Sequence, residues 1–230
     1  MTSPSWATAL EKTLNEHEEV RARPIFQVAT VDEHGIPHVR SQVYRETLAL
    51  DGYPYPLLLS STDIRTPKVT QLLANPHVEI CWWIDATQEQ FRISAQSYII
   101  SGTEHPLYEK CKPDHMAATA REDRASWETR RRQMFDAMSP PMKAGWLRPA
   151  PGSKLGGGRE ESKAWVETIP KQGDLKTDEE KKNWENALAN FALMVFMPSK
   201  VDYVELGVVP NRRRMYVRDG EAWTEEDVTP

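Results

Sequence analysis

A chain of 230 residues with 39% hydrophobic and 27% charged side chains suits one α+β or barrel domain and is too apolar to stay disordered. Its net charge of −5 gives no overall basic field, which argues against nucleic acid or an anionic membrane as partner. Two cysteines, Cys81 and Cys111, are too few for a disulfide framework or a four-ligand zinc site.

The N-terminus has neither a basic nor an apolar signal region, and no apolar run reaches the roughly 18 residues of a membrane span, so a cytoplasmic setting is expected. Ser3-Pro4 reads as a helix start, a capping hydroxyl followed by proline in the first turn, with Trp6, Leu10 and Leu14 at helical spacing toward a core. Two β-like runs, 24–30 and 38–45, flank Asp32-Glu33-His34-Gly35, which reads as a hairpin turn. In the second run Arg40, Gln42 and Tyr44 share one face, and Val39, Ser41 and Val43 the other. A strand gives a face to Arg, Gln and Tyr where that face meets ligand or solvent.

A short apolar strand follows at 57–60. Thr66-Pro67-Lys68 is a second cap-then-proline helix start, and Asn75-Pro76 ends that helix. Strands are expected at 78–84 and 91–100; Cys81 lies in the apolar run Val78-Glu79-Ile80-Cys81-Trp82-Trp83 and reads as an inert core thiol, with Trp82-Trp83 as core plus surface or dimer contact. A charged helical excursion occupies about 107–147, where Arg130-Arg131-Arg132 reads as a solvated helix face. A loop-rich insertion spans about 149–183 and includes Gly156-Gly157-Gly158, which follows no strand and so lacks the setting of a nucleotide loop. A helix at 178–189 and strands at 193–197, 201–206 and 215–218 close the chain, with Asp219-Gly220 as a turn before Trp223. Alternation sends Arg212 and Arg214 to one face of the last strand and Arg213 to the other. This order suits a single domain over 1–230, mainly β with helices: an antiparallel barrel decorated by helices.

The start of the second helix carries the most chemistry. Free N–H groups and the positive dipole end meet there, and Lys68 adds a full charge that opposes the dipole by about 0.3–1 kcal/mol unless an anion is bound. Arg65, Ser61 and Thr62 stand just before it. The residues alone leave two readings open, a phosphate cradle and an ordinary surface helix. The six histidines show no metal-ligand spacing, and no nucleophile elbow is present.

Arg40-Ser41-Gln42-Val43-Tyr44-Arg45 resembles the Arg-x-Val-Leu-Leu-Lys strand of the pyridoxamine 5'-phosphate oxidase family, and Ser61-Thr62 followed by Thr66-Pro67-Lys68 is similar to its Tyr-Thr-Asn then Ser-Arg-Lys turn and helix. Asn75-Pro76 matches the family's Asn-Pro, and Glu89-Gln90-Phe91-Arg92-Ile93 its Arg-Gln-Val-Arg-Val strand. Thr62-Asp63-Ile64-Arg65-Thr66-Pro67-Lys68 also resembles a branch that reads Thr-Asp-x-Arg-Ser-x-Lys. The likeness covers about 20–100 well and 193–230 loosely.

The resemblance implies an FMN-binding split β-barrel with the flavin at a homodimer interface. It assigns cofactor contacts to Arg40, Ser41, Gln42, Val43, Tyr44, Arg45, Ser61, Thr62, Arg65, Lys68, Gln90 and Arg214. Among these, Arg40 and Lys68 hold the phosphate, Gln90 meets the flavin ring and Arg214 lies at its side. Pro67 replaces the family's second basic residue, and Arg65 is the available substitute. The helical residues that grip pyridoxine phosphate fall at Met134, Met138 and Met142, which offer a phosphate no donors. The implied function is a flavoprotein oxidoreductase acting on another small molecule. A pyridoxamine or pyridoxine 5'-phosphate oxidase and a non-catalytic flavin sensor are the alternatives.

Overall fold

The computed structural model describes residues 4–50, 55–110 and 123–230. Its helices are α1 (Ser5–Glu16), α2 (Glu18–Ala22), α3 (Pro67–Ala74), α4 (Pro106–Lys110), α5 (Arg124–Asp136), α6 (Pro140–Ala144) and α7 (Asp178–Asn190). The strands are β1 (Ile25–Val31), β2 (Pro37–Val43), β3 (Glu46–Leu48), β4 (Leu57–Asp63), β5 (His77–Ile84), β6 (Glu89–Ile100), β7 (Phe191–Glu205), β8 (Arg212–Asp219) and β9 (Ala222–Val228). They form one antiparallel sheet in the order β2-β1-β5-β6-β7-β4-β3, with β8 on β7 and β9 on β8. The path ends at β2 and at β3, so the sheet is open, consistent with a split barrel. Among the described residues no helix is long and apolar enough to cross a membrane.

The chain divides into two compact units. One comprises Met1–Ser60, Gln71–Tyr98 and Met194–Pro230, the other Ser61–Thr70 and Ile99–Leu193. Period-two patterning builds the first. Val78, Ile80, Trp82 and Ile84 of β5 and Phe91, Ile93 and Ala95 of β6 are buried, while the intervening residues are not. Phe26 of β1 joins this core with its ring 5.5 Å from Trp82 and 5.7 Å from Phe196. Full burial of each such side chain contributes roughly 1.5–3 kcal/mol. Trp6, Leu10 and Leu14 of α1 are buried as the helical spacing predicts.

The second unit packs around Phe135, whose ring lies 5.4 Å from Trp184, 5.4 Å from Phe191 and 5.9 Å from Trp146. A capping box starts α7, with the Thr177 hydroxyl accepting from the Glu180 amide and the Glu180 carboxylate accepting from the Thr177 amide. The insertion at about 149–183 carries two short 3₁₀ turns, Gly158–Ala164 and Gln172–Asp174, and is tied down at its far end. Ile169 is buried and donates its amide to Pro140, the fully buried Lys143 donates to Pro170 O at 2.8 Å, and Gln172 N donates to Asp136 at 2.7 Å.

Several sequence expectations are corrected. Pro4 is the N-cap of α1 rather than a first-turn residue, with no side-chain cap; Ser3 lies outside the described residues, as does Cys111. Cys81 alternates onto the row of Glu79 and Trp83 and is partly exposed, so it is no core thiol. The strands expected at 193–197 and 201–206 are one, because β7 continues through Pro198 and from Lys200 to Glu205 pairs with β8. Arg131 is 3% exposed rather than on a solvated face: its Nη1 donates to Leu188 O at 2.7 Å and Phe191 O at 3.0 Å, closing the C-terminus of α7. β3 and β9 had no counterpart in the sequence reading. The helical excursion is described as α4, α5, α6 and the 3₁₀ turn Gly145–Leu147, and 111–122 lie outside the described residues.

Candidate functional site

In the first unit the candidate residues gather around Arg40. The β1–β2 register pairs it with Val28, and alternation turns it to the face that Gln42 shares. Its Nη1 donates to Thr30 Oγ1 at 2.6 Å, His38 O at 3.1 Å and Val28 O at 3.3 Å, and Nη2 donates to Gln71 Oε1 at 3.1 Å. Thr30, 1% exposed, also donates to Gln71 Oε1 at 2.6 Å. All these acceptors are neutral, so the geometry is fixed and the charge is not cancelled. Burial accordingly lowers the Arg40 pKa from the ordinary arginine value.

The rest of β2 divides by face. Gln42 is buried and donates Nε2 to Ser60 Oγ at 2.8 Å, and the Ser60 hydroxyl donates to Val43 O at 2.7 Å. Ser41 is exposed and Val43 partly so. The Tyr44 ring stands 5.2 Å from Trp82 and its hydroxyl 2.7 Å from Thr47 Oγ1; burial raises its pKa. Tyr44 and Arg45 line a cavity of about 400 Å³ with Glu11, Arg21 and Glu46. Burial lowers the Arg45 pKa as well.

Gln90 and Arg214 are held differently. Gln90 Oε1 accepts from Arg92 Nε at 2.6 Å. Arg214, opposite Asp227 in the β8–β9 register, donates Nε to Asp227 at 2.8 Å and sets Nη1 2.9 Å from Glu225. Asp227, then Tyr216 and Glu225, raise its pKa. Arg213 turns the other way to the buried Asp202, with both bonds at 2.9 Å, and Arg92 also reaches that carboxylate at 3.3 Å.

The second unit contains the turn before α3. Ser61 and Thr62 are buried at the end of β4, and the Thr62 hydroxyl donates to Asp63 O at 3.2 Å. Arg65 forks onto Asp63, with Nε to Oδ1 at 2.9 Å and Nη2 to Oδ2 at 2.6 Å. Thr66, read as a cap, instead donates its hydroxyl to Asp63 O at 2.8 Å. Pro67 and Lys68 then open α3 as the sequence predicts. Lys68 stands in the first turn of α3.

Taken separately, each unit offers donors of a kind that suits a phosphate: in the first a guanidinium braced by neutral acceptors, in the second an ammonium in a first helical turn with two hydroxyls just before it in sequence. Sequence reasoning missed Thr30 and Gln71. The available signal was a threonine in the inward row of β1 between Val28 and the turn, and a glutamine one turn after Lys68. Among the described residues no group of His, Cys, Asp and Glu could hold a metal ion.

Residues 3–101 match the model of the pyridoxamine 5'-phosphate oxidase FMN-binding domain. The chain is similar along 98% of its length, at 25% identity, to pyridoxine/pyridoxamine 5'-phosphate oxidase 2 of Arabidopsis thaliana, 96% of which is covered. In fold it is similar to a pyridoxamine 5'-phosphate oxidase-related, FMN-binding protein of Nostoc punctiforme, with TM-score 0.73, 24% identity and 100% of both chains covered. It also resembles PhzG of Burkholderia lata, solved with tetrahydrophenazine-1-carboxylic acid, with TM-score 0.63, 14% identity, and 97% and 92% of the chains covered.

Proposed function

We propose that the protein is an FMN-dependent oxidoreductase acting on a small organic substrate. Arg40 carries the reading: a half-buried cation held in place by Thr30, Gln71 and two carbonyls, with no carboxylate among its described partners, is preorganised for an anion. In this reading Arg40 and Lys68 hold the FMN phosphate, Ser61 and Thr62 supply hydroxyl and backbone contacts, and Gln90 meets the flavin edge. Bound FMN supplies the electron transfer, and the protein binds and orients it. The family resemblance supports a homodimer with the flavin at its interface.

The substrate side supports a molecule other than pyridoxine 5'-phosphate. Met138 is 6% exposed and packs as core, and Met134 and Met142 bring no phosphate donors. A visible spectrum of the purified protein, followed by titration with FMN and riboflavin, tests the proposal. Flavin bands and a clear preference for FMN are expected. Equal affinity for the two removes the phosphate assignment, and binding of neither removes the flavin reading.

The Arabidopsis relative favours a second reading, pyridoxine 5'-phosphate oxidase activity. Steady-state turnover of that substrate with oxygen decides between them. An efficiency of about 10⁴ M⁻¹s⁻¹ or more, the ordinary enzyme range, establishes the second reading.

A further inference from the structure

Arg65 stands where a missing phosphate cation would be sought, yet its donors are committed elsewhere. Its fork closes on both oxygens of Asp63, and its own amide donates to Asp63 Oδ1 at 2.8 Å. The remaining reach of the guanidinium goes to two backbone carbonyls, with Nη2 on Trp146 O at 3.2 Å and Nη1 on Arg148 O at 3.0 Å. The Asp63 side chain is only 10% exposed and that of Arg65 27%.

The same turn is fastened at other points. Trp146 Nε1 donates to Thr62 O at 3.4 Å, Ile64 N donates to Asn190 O at 3.0 Å, and Asn190 Nδ2 returns to Trp146 O at 2.9 Å. Trp146 is itself wedged against Phe135 and Phe191, the latter at 5.2 Å. The Thr66 amide and hydroxyl both donate to Asp63 O, and Val69 N, in the first turn of α3, donates to Thr66 O. A rigid aromatic cluster therefore sets the angle at which α3 begins.

We propose that Arg65 is a positioning residue and not a phosphate ligand: with Asp63 it clamps the 62–66 turn onto the carbonyls of Trp146 and Arg148. The clamp fixes the direction of the first turn of α3 and of Lys68. This rests on the FMN reading for what Lys68 meets. A guanidinium is required because it must span two carboxylate oxygens and two carbonyls in one plane, which an ammonium cannot do.

The test uses the full chain with Arg65→Ala, Arg65→Lys and Asp63→Asn, each titrated with FMN and with riboflavin, with thermal melting as the folding check. All three variants are expected to lose about ten- to thirtyfold in FMN affinity, the scale of one charge-assisted contact put out of alignment, while riboflavin affinity stays within about threefold. Near-wild-type FMN binding by Arg65→Lys overturns the proposal, since a point charge then suffices. So does FMN binding by Asp63→Asn as tight as or tighter than the wild type, which is what release of a direct ligand produces. Equal losses for both flavins, in step with a lower melting temperature, overturn it as well, because the pair then only supports the fold. Should Asp63→Asn fail to fold, Arg65→Lys keeps the charge and carries the test alone. A wild-type protein that binds neither flavin removes the FMN reading itself, a result separate from any difference between variants.

Discussion

Two hairpins of the sheet present arginines that the sequence singles out, and they treat them in opposite ways. In the β1–β2 hairpin Arg40 is braced by a threonine, a glutamine and carbonyls, so its position is fixed and its charge left over. In the β8–β9 hairpin Arg214 meets Asp227 and Glu225, and Arg213 meets Asp202. There the charge is cancelled where it stands. Burial follows the same division: the polar row of β2 turns inward to a buried Gln42, whereas β9 is largely exposed. An arginine in a motif is therefore weak evidence of anion binding until its partners are known. Partner charge, rather than residue type, separates a waiting cation from a structural one.

The comparison is broken most directly at Arg40. Arg40→Met should weaken FMN binding by roughly 10- to 100-fold, the equivalent of 1.5–3 kcal/mol for a charge-assisted contact, as read by flavin titration. Riboflavin affinity should hardly change. A loss below about threefold would place the phosphate elsewhere.

Asp202 is the hub of the other hairpin, with two arginines on one buried carboxylate. Asp202→Ala should lower stability by about 1–3 kcal/mol in denaturant unfolding, because both cations lose their acceptor. FMN affinity should stay near the wild-type value. Arg214→Met is expected to do less still, under about 1 kcal/mol in stability and under about threefold in FMN affinity, since its partners Glu225 and Asp227 are 43% and 80% exposed and the pairs are screened. A tenfold loss of FMN would place Arg214 beside the flavin and remove the contrast between the hairpins.

How much of this was legible depended on whether the information lay in one stretch of chain. Period-two patterning places Phe91, Ile93 and Ala95 in the core, and the cap-then-proline start places α3, because both are local. The motif positions Arg40 and Lys68 stood out for the same reason. What the sequence withheld was partnership across distance: Gln71 lies 31 positions from Arg40, and Trp146 lies 81 from Arg65. The burial of Arg131 is not legible in its own stretch, because a helix face is solvated or buried according to what packs on it, here the end of α7 57 residues away. β3 is not legible because a three-residue strand carries too little alternation to read, and β9 because its row of Thr, Glu and Asp looks like a tail until β8 sets Arg214 opposite Asp227.

The smallest effect belongs to the turn that presents Arg40. Asp32 Oδ1 accepts from the amides of His34 and Ile36, each at 2.9 Å, and Oδ2 lies 2.9 Å from His38 Nε2; Gly35 completes the turn at φ +79°. The His38 bond first, then the Ile36 amide, lowers the Asp32 pKa from 3.8 to about 2. A carboxyl whose pKa is depressed on folding adds stability above its unfolded pKa, and that contribution fades as pH falls through the folded one. The window is therefore between about pH 4 and pH 2, bounded by the two values just given. Asp32→Asn should be less stable than the wild type at neutral pH, and the gap should narrow across this window until the two unfold alike. His38→Ala should move the Asp32 titration part of the way back toward 3.8, which carboxyl-resolved NMR would follow. The carboxylate keeps part of its surface in water and sits in a surface turn, so the whole effect should be small beside that of Arg40→Met, and a pH-independent gap between Asp32→Asn and the wild type would show that the turn is held by the amide geometry and not by the charge.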